Sequence, residues 1–213
     1  MVYYLYLFYH IHGKTFIEEL IMSTNIEIEA KILVNESEFL KLKTILGIQE
    51  KIKVTQTNYY VDDQQGSLRT FGFALRIREL NQSYTLTLKS PMAEGTLEKN
   101  QVISEAAYRL FKEKRIFPQG IIHDFLEMFD FQTKQLSIIT HLTTERYETK
   151  FEDRHVCLDK NLYHGITDYE VESEESSLKH AAETLQLLCE KAKIVYKENH
   201  ISKYARAIKT LKK

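Results

Sequence analysis

Tryptophan is absent from this 213-residue sequence, cysteine and proline occur twice each, and glycine occurs seven times. Each shortage removes a class of reading. Cys157 and Cys189 lie far apart and make no disulfide framework; they fit buried bystanders in a reducing cytoplasm. Eight histidines are scattered. His10 and His12 have alternate spacing, but no second pair or cysteine cluster completes a zinc site, so they read as incidental. The few glycines form no G-x-x-x-x-G-K-[ST] loop, no G-x-G-x-x-G and no G-x-S-x-G. Any phosphate must therefore be held by side chains. An excess of one charge is lacking too. Lys and Arg number 29 against 30 Asp and Glu, which excludes the broad basic field that nucleic acid or anionic lipid would favour.

The first 21 residues differ in character from the rest of the chain. "MVYYLYLFYHIHG" is aromatic and apolar, but it has no basic n-region and no small-residue cleavage site, so it makes a poor signal peptide. It is also too short to span a bilayer before Gly13 and Lys14 interrupt it. Met22 stands just before the first alternating strand, and the codons for Glu18-Glu19 can supply a purine-rich ribosome-binding tract. Residues 1–21 are therefore expected to be a mis-called start or a disordered extension, with a peripheral hydrophobic anchor as the alternative. The globular domain is expected over 22–213.

Periodicity sets out the remaining elements. "NIEIEAKI" (25–32) alternates apolar and polar side chains, the mark of a strand. Asn35 with Glu38 opens a helix by a capping box, and Phe39, Leu42, Ile45 and Leu46 carry it to Gly47. Residues 51–61 are β-branched and aromatic, hence a strand, and "DDQQGS" is a turn. "FALRIREL" (73–80) and "SYTLTLKS" (83–90) flank Asn81-Gln82 as a hairpin, and 96–104 alternates again. Helical spacing holds from about 105 to 129, broken at Pro118–Gly120. Strands are expected at 136–151, 154–160 and 166–173. A helix then starts after Ser176 or Ser177, with Leu178, Ala181, Ala182, Leu185 and Leu188 on its apolar face.

The strands share an oddity. Glu27, Glu29 and Lys31 oppose Ile28, Ala30 and Ile32; Arg76 and Arg78 oppose Leu75 and Ile77; Lys89 opposes Leu86 and Leu88. Glu170, Glu172 and Asp168 oppose Tyr169 and Val171, and Arg146, Glu148 and Lys150 share a parity. Two architectures satisfy this pattern. An open sheet can leave the charged face wet, or a sheet can close into a barrel with its charges inside and helices outside. Enclosed charges need a charged ligand, because burial is costly unless they are paired or bound to metal. Glu27, Glu29, Asp159, Glu170 and Glu172 are hard oxygen ligands suited to Mg²⁺ or Mn²⁺. Lys31, Arg76, Arg78, Lys89 and Arg146 are cations that hold phosphate oxygens. Together they describe a site for a metal–polyphosphate complex.

In their order, Glu27-x-Glu29-x-Lys31, "ALRIR", "TLTLK", "RYE", "CLDKNLY…DYEVE" and "SKYARA" resemble the CYTH superfamily, the triphosphate tunnel metalloenzymes. The likeness runs from residue 25 to about 207 and is greatest to the small triphosphatase branch of low-GC Gram-positive bacteria. It implies an α+β fold, a closed eight-stranded antiparallel β-barrel (the triphosphate tunnel) with helices packed outside. It implies further that Glu27 and Glu29 serve metal and Lys31 phosphate, and that Arg76, Arg78, Lys89 and Arg146 contact triphosphate. Asp159, Glu170 and Glu172 match the acids that position metal and water, and Lys203 and Arg206 match the basic pair of the C-terminal motif.

The activity so implied is Mg²⁺- or Mn²⁺-dependent hydrolysis of a small-molecule triphosphate, most simply inorganic tripolyphosphate, by a cytoplasmic monomer or homodimer. No nucleic-acid partner is expected, and no membrane unless residues 1–21 are real. A class IV-type adenylyl cyclase and a non-catalytic polyphosphate or nucleotide sensor are the alternatives. Tyr59, Tyr60 and Phe73 are the candidates to stack on an organic base in the absence of tryptophan, with a place in the core as the other reading. Glu98 and Glu148 read equally as tunnel acids or solvent-facing residues, and Asp168 reads as a hairpin-end residue.

Overall fold

A computed structural model describes residues 2–11 and 14–211, with backbone alone for 2–11, 14–22 and 51. The reading of His10 and His12 thus falls outside the described side chains. The chain divides into two compact units. One comprises the residues up to Ile26, Tyr59–Met92 and Thr96–Ile139; the other comprises Glu27–Asn58, Ala93–Gly95 and the chain from Thr140 onward.

The first unit contains β1 (Val2–Ile11) and most of β2 (Lys14–Glu27), whose backbones pair antiparallel. It also holds the end of β4 (Lys53–Asp62), then β5 (Ala74–Leu80), β6 (Ser83–Pro91) and β7 (Thr96–Ile103). Strand order is β1-β2-β7-β6-β5-β4. A short helix α2 (Ser67–Thr70) occupies part of the expected turn, and the Asp62 carboxylate accepts from Leu68 N at its start. The expected helical stretch is two helices, α3 (Glu105–Lys114) and α4 (Ile121–Met128). Gln101 explains the join between them. Its amide donates to Gln119 O at 2.6 Å and accepts from Ile122 N at 3.4 Å. A Cβ on Gly120 (φ +132) would stand 2.5 Å from that amide, so glycine is required there.

In the second unit β3 (Glu29–Val34), β8 (Ser137–Phe151), β9 (Arg154–Tyr163) and β10 (Ile166–Glu174) form the order β8-β9-β10-β3. Helices α1 (Glu36–Ile45), α5 (Leu178–Ala192) and α6 (Lys203–Leu211) complete it. The capping box at α1 forms as expected: Asn35 Oδ1 accepts from Glu38 N, and Asn35 N donates to Glu38 Oε2. One expectation fails locally. The alternating segment 25–32 breaks at Ile28, β2 ends at Glu27, and Ile26 is exposed, so the apolar face is buried only from Ala30 onward.

Three two-residue turns set the registers: Asn81-Gln82, Glu152-Asp153 and His164-Gly165. All six residues have positive φ, which matches the right-handed twist of the flanking strands. With register fixed, parity sorts the side chains. In the first unit Leu75, Ile77, Leu86 and Leu88 pack on Leu68, Tyr108, Phe111, Ile122 and Leu126. In the second, Ala30, Ile32, Leu158 and Val171 pack on Phe39, Leu42, Ala181, Leu185 and Leu188. Burying each such Leu, Ile or Val side chain is worth roughly 1.5–3 kcal/mol. Tyr60 and Phe73 are buried. Tyr59 packs partly against the core and donates to Glu79 Oε2 at 2.7 Å. Both cysteines are buried. Among the described residues no helix is long and apolar enough to cross a membrane.

Candidate active site

Each unit carries its charge on the face opposite its core. In the first, Arg76 stands opposite Thr87, Arg78 opposite Thr85, and Lys89 opposite Glu98. Glu98 Oε1 lies 2.8 Å from Lys89 Nζ and 3.5 Å from Arg76 Nη2, and Asn100 donates to its other oxygen. Burial opposes ionisation of Glu98, but Lys89 and Arg76 outweigh it and hold the carboxyl down to about 2. Of the two acids left open by the sequence, Glu98 is buried among cations and Glu148 is exposed.

The second unit holds a denser set. Register places Arg146 beside Asp159, Asp159 beside Glu170, and Glu172 beside Lys31, all on one face. Arg146 grips Asp159 with two nitrogens, at 2.8 and 2.6 Å, and reaches Glu172 at 2.5 Å. Helix α6 adds two cations three residues apart, hence on one helical face. Lys203 Nζ lies 2.9 Å from Asp159, 2.5 Å from Glu170 and 2.5 Å from Glu172. Arg206 contacts Glu170 at 2.5 Å and Asp168 at 2.8 Å. Asn199 donates to Glu170 at 3.2 Å, while its backbone N–H donates to Lys31 O.

Asp159, Glu170 and Glu172 each offer an oxygen, and these oxygens lie within 4.8 Å of one another. All three residues are buried. This all-carboxylate donor set fits a hard divalent cation such as Mg²⁺ or Mn²⁺. Among the described residues no other group of three or more potential ligands forms such a cluster. Glu27 and Glu29, expected as metal ligands, lie outside it: Glu29 pairs with Lys31, and Glu27 is half-buried at the end of β2.

The carboxyls titrate unequally. Burial and the neighbouring Glu172 push Glu170 up, against the pull of Lys203 and Arg206. Burial also opposes the charge on Glu172, but Lys203, Arg146 and Lys31 hold it well below the usual carboxylate range. Lys203 stays firmly protonated: burial works against its charge, and Glu172, Asp159 and Glu170 outweigh burial.

The paired cations Lys31, Arg76, Lys89, Arg146, Lys203 and Arg206 expose only 9–23% of their side chains. Asp168 departs from its expected role. It accepts from Arg206, Tyr163 and Asn161, and so anchors α6 rather than merely ending a hairpin. Its parity with Glu170 was the available signal. Asn199, in a segment without periodicity, had none.

Comparison with known proteins adds a family. The CYTH domain profile matches residues 25–207. YjbK of Bacillus subtilis (strain 168), named as a candidate triphosphatase, is 32% identical over 181 residues, which span 83% of this chain and 92% of that protein. A crystal structure from Bacillus halodurans, described as a candidate adenylate cyclase, is 38% identical with a TM-score of 0.77. That match covers 84% of this chain and 96% of the other. HpAC1 from Hippeastrum is described as a candidate adenylyl cyclase with a dominant triphosphatase activity. At 22% identity, a TM-score of 0.68 and coverage of 87% and 95%, it speaks to the fold alone.

Proposed function

The chain belongs to the CYTH domain family, and from that premise we propose that it is a metal-dependent triphosphatase whose simplest substrate is inorganic tripolyphosphate. One observation carries the reading: three buried carboxylates occupy a strand face turned away from the core, and covered cations from the strands and from α6 pair with them. A fold gains little from burying ions that apolar residues could replace. A substrate that brings both metal and negative charge accounts for both sets. Included in the proposal are the closed eight-stranded tunnel that the resemblance implies, the metal role of Glu27 and Glu29, the phosphate role of Lys31, Arg78 and Lys89, and a cytoplasmic setting.

Asp159, Glu170 and Glu172 would hold the divalent cation. Bound there, Mg²⁺ or Mn²⁺ supplies a Lewis acid that lowers the pKa of water and neutralises charge developing on phosphate. The phosphate role that the resemblance implies for Arg76, Arg78, Lys89, Arg146 and Lys203 is part of the proposal: arginines would hold phosphate oxygens through planar forks and lysines as point charges. Fixing the chain of phosphates leaves one phosphorus open to in-line attack. Water adds its oxygen to the terminal phosphorus as the bridging P–O bond breaks, diphosphate leaves with the electron pair of that bond, and the protons of the water pass to the phosphate products and to solvent. No side-chain nucleophile is required.

The cyclase reading draws on the Bacillus halodurans relative, and the sensor reading on the cations alone. A pure anion binder gains nothing from three buried carboxylates, which repel phosphate unless metal lies between them. A panel of tripolyphosphate and nucleoside triphosphates with Mg²⁺ or Mn²⁺ tests the proposal, with orthophosphate, pyrophosphate and cyclic AMP scored separately. Orthophosphate from tripolyphosphate, at a kcat/KM at least equal to that for ATP and without cyclic AMP, supports it. Cyclic AMP and pyrophosphate formed in equal amounts from ATP would establish the cyclase; binding without turnover would establish the sensor.

A further inference from the structure

We infer that the Lys203 ammonium is the resident counter-ion of the three-carboxylate cluster, and that a divalent cation enters only by expelling it toward the phosphate site. The inference rests on the proposed function in taking Asp159, Glu170 and Glu172 as the metal's ligands. Among the described residues Lys203 is the one cation that contacts all three, at 2.9, 2.5 and 2.5 Å. Arg146 reaches only Asp159 and Glu172, and Arg206 only Glu170 among them. The ammonium and a metal ion thus compete for the same oxygens. Both cannot be kept in one buried site without strong like-charge repulsion.

The surroundings suit such an exchange. Lys203 is the first residue of α6, and its charge sits on a flexible four-carbon stem that can move without the helix. Arg206, one turn on, stays tied to Asp168 by two hydrogen bonds and to Ile201 O by a third, so α6 keeps its anchor. An expelled ammonium is free to bind a phosphate oxygen. Metal and triphosphate then favour one another through one side chain, and the coupling must be reciprocal. Metal frees the ammonium for phosphate; phosphate withdraws the ammonium from the metal ligands.

The test is Mn²⁺ binding by calorimetry to the full chain without triphosphate, comparing wild type, Lys203→Gln and Lys203→Arg. Removing the competitor should tighten Mn²⁺ binding by roughly tenfold or more, while arginine, which keeps the charge, should not tighten it. Lys203→Gln leaves three carboxylates short of counter-charge and lowers metal-free stability. The second readout is therefore the rise in melting temperature on adding Mn²⁺, which should exceed that of wild type. A Lys203→Gln variant that folds only with Mn²⁺ supports the exchange. Mn²⁺ affinity no tighter than wild type, or a melting temperature no more responsive to Mn²⁺, overturns it. Neither readout uses hydrolysis, so an inactive enzyme would count against the triphosphatase reading and leave the exchange standing.

Discussion

Glu170 and Glu172 lie two residues apart on β10 and face the same way, yet their carboxyls are driven in opposite directions. Burial opposes the charge on both: at Glu172 the cations Lys203, Arg146 and Lys31 outweigh it, whereas at Glu170 burial and the neighbouring Glu172 outweigh Lys203 and Arg206. Under the proposed function both are metal ligands, a role that would act mainly in the transition state. Glu170→Gln or Glu172→Gln should thus lower kcat at least about tenfold with little change in triphosphate affinity, whereas Arg76→Ala should weaken binding as well. Steady-state kinetics beside direct binding of a non-hydrolysable triphosphate separates the two; normal turnover in the glutamine variants with lost binding would reverse the roles. Glu98 makes a prediction about stability. Its carboxyl is held at about 2 against an ordinary 4.5, so its contribution is complete above pH 4.5 and is lost as pH falls through about 2. Glu98→Gln should therefore be less stable than wild type at neutral pH, and the gap should close across that window. A gap that stays constant in pH-dependent melts would deny Lys89 and Arg76 their hold on Glu98.

At the scale of elements, the strands read clearly because a period of two leaves little choice of face. Arg76, Lys89, Arg146, Asp159, Glu170 and Glu172 all fall where alternation puts them, and the capping box and the Asn81-Gln82 turn are local signals that the structure keeps. Contacts between segments distant in sequence were not legible. Nothing in the sequence says that Lys203 reaches three strand carboxylates, that Asp168 holds Arg206, or that Gln101 caps α4. Helix α2 was hidden because its four residues are too few to show a period. His164 belongs to the same class. Its Nε2 lies 2.9 Å from Thr140 Oγ1 and its Nδ1 lies 2.7 Å from Thr210 Oγ1, so it fastens the far end of α6. His164→Ala should loosen the helix that carries Lys203 and Arg206. The expected outcome is a KM raised several-fold, with kcat changed less. An unchanged KM would show that Asp168 and Arg206 suffice.

For the whole molecule, the charge pattern reported more than composition did. A net charge of −1 conceals faces on which acids and bases alternate under cover. The family match begins at residue 25, so a chain starting at Met22 is expected to fold and to turn over triphosphate like the full one. Circular dichroism and initial rates check this, and loss of either would give the preceding residues a structural role. The proposed function has this site use a divalent cation to set water on a triphosphate. Its most direct measurement incubates the full chain with tripolyphosphate in water enriched in heavy oxygen, with Mn²⁺ or with chelator, and reads the products by mass spectrometry. Orthophosphate and diphosphate should form only with Mn²⁺, with one solvent oxygen incorporated per turnover. Release that persists after exhaustive chelation, or no cleavage of tripolyphosphate with Mn²⁺ present, would contradict the claim.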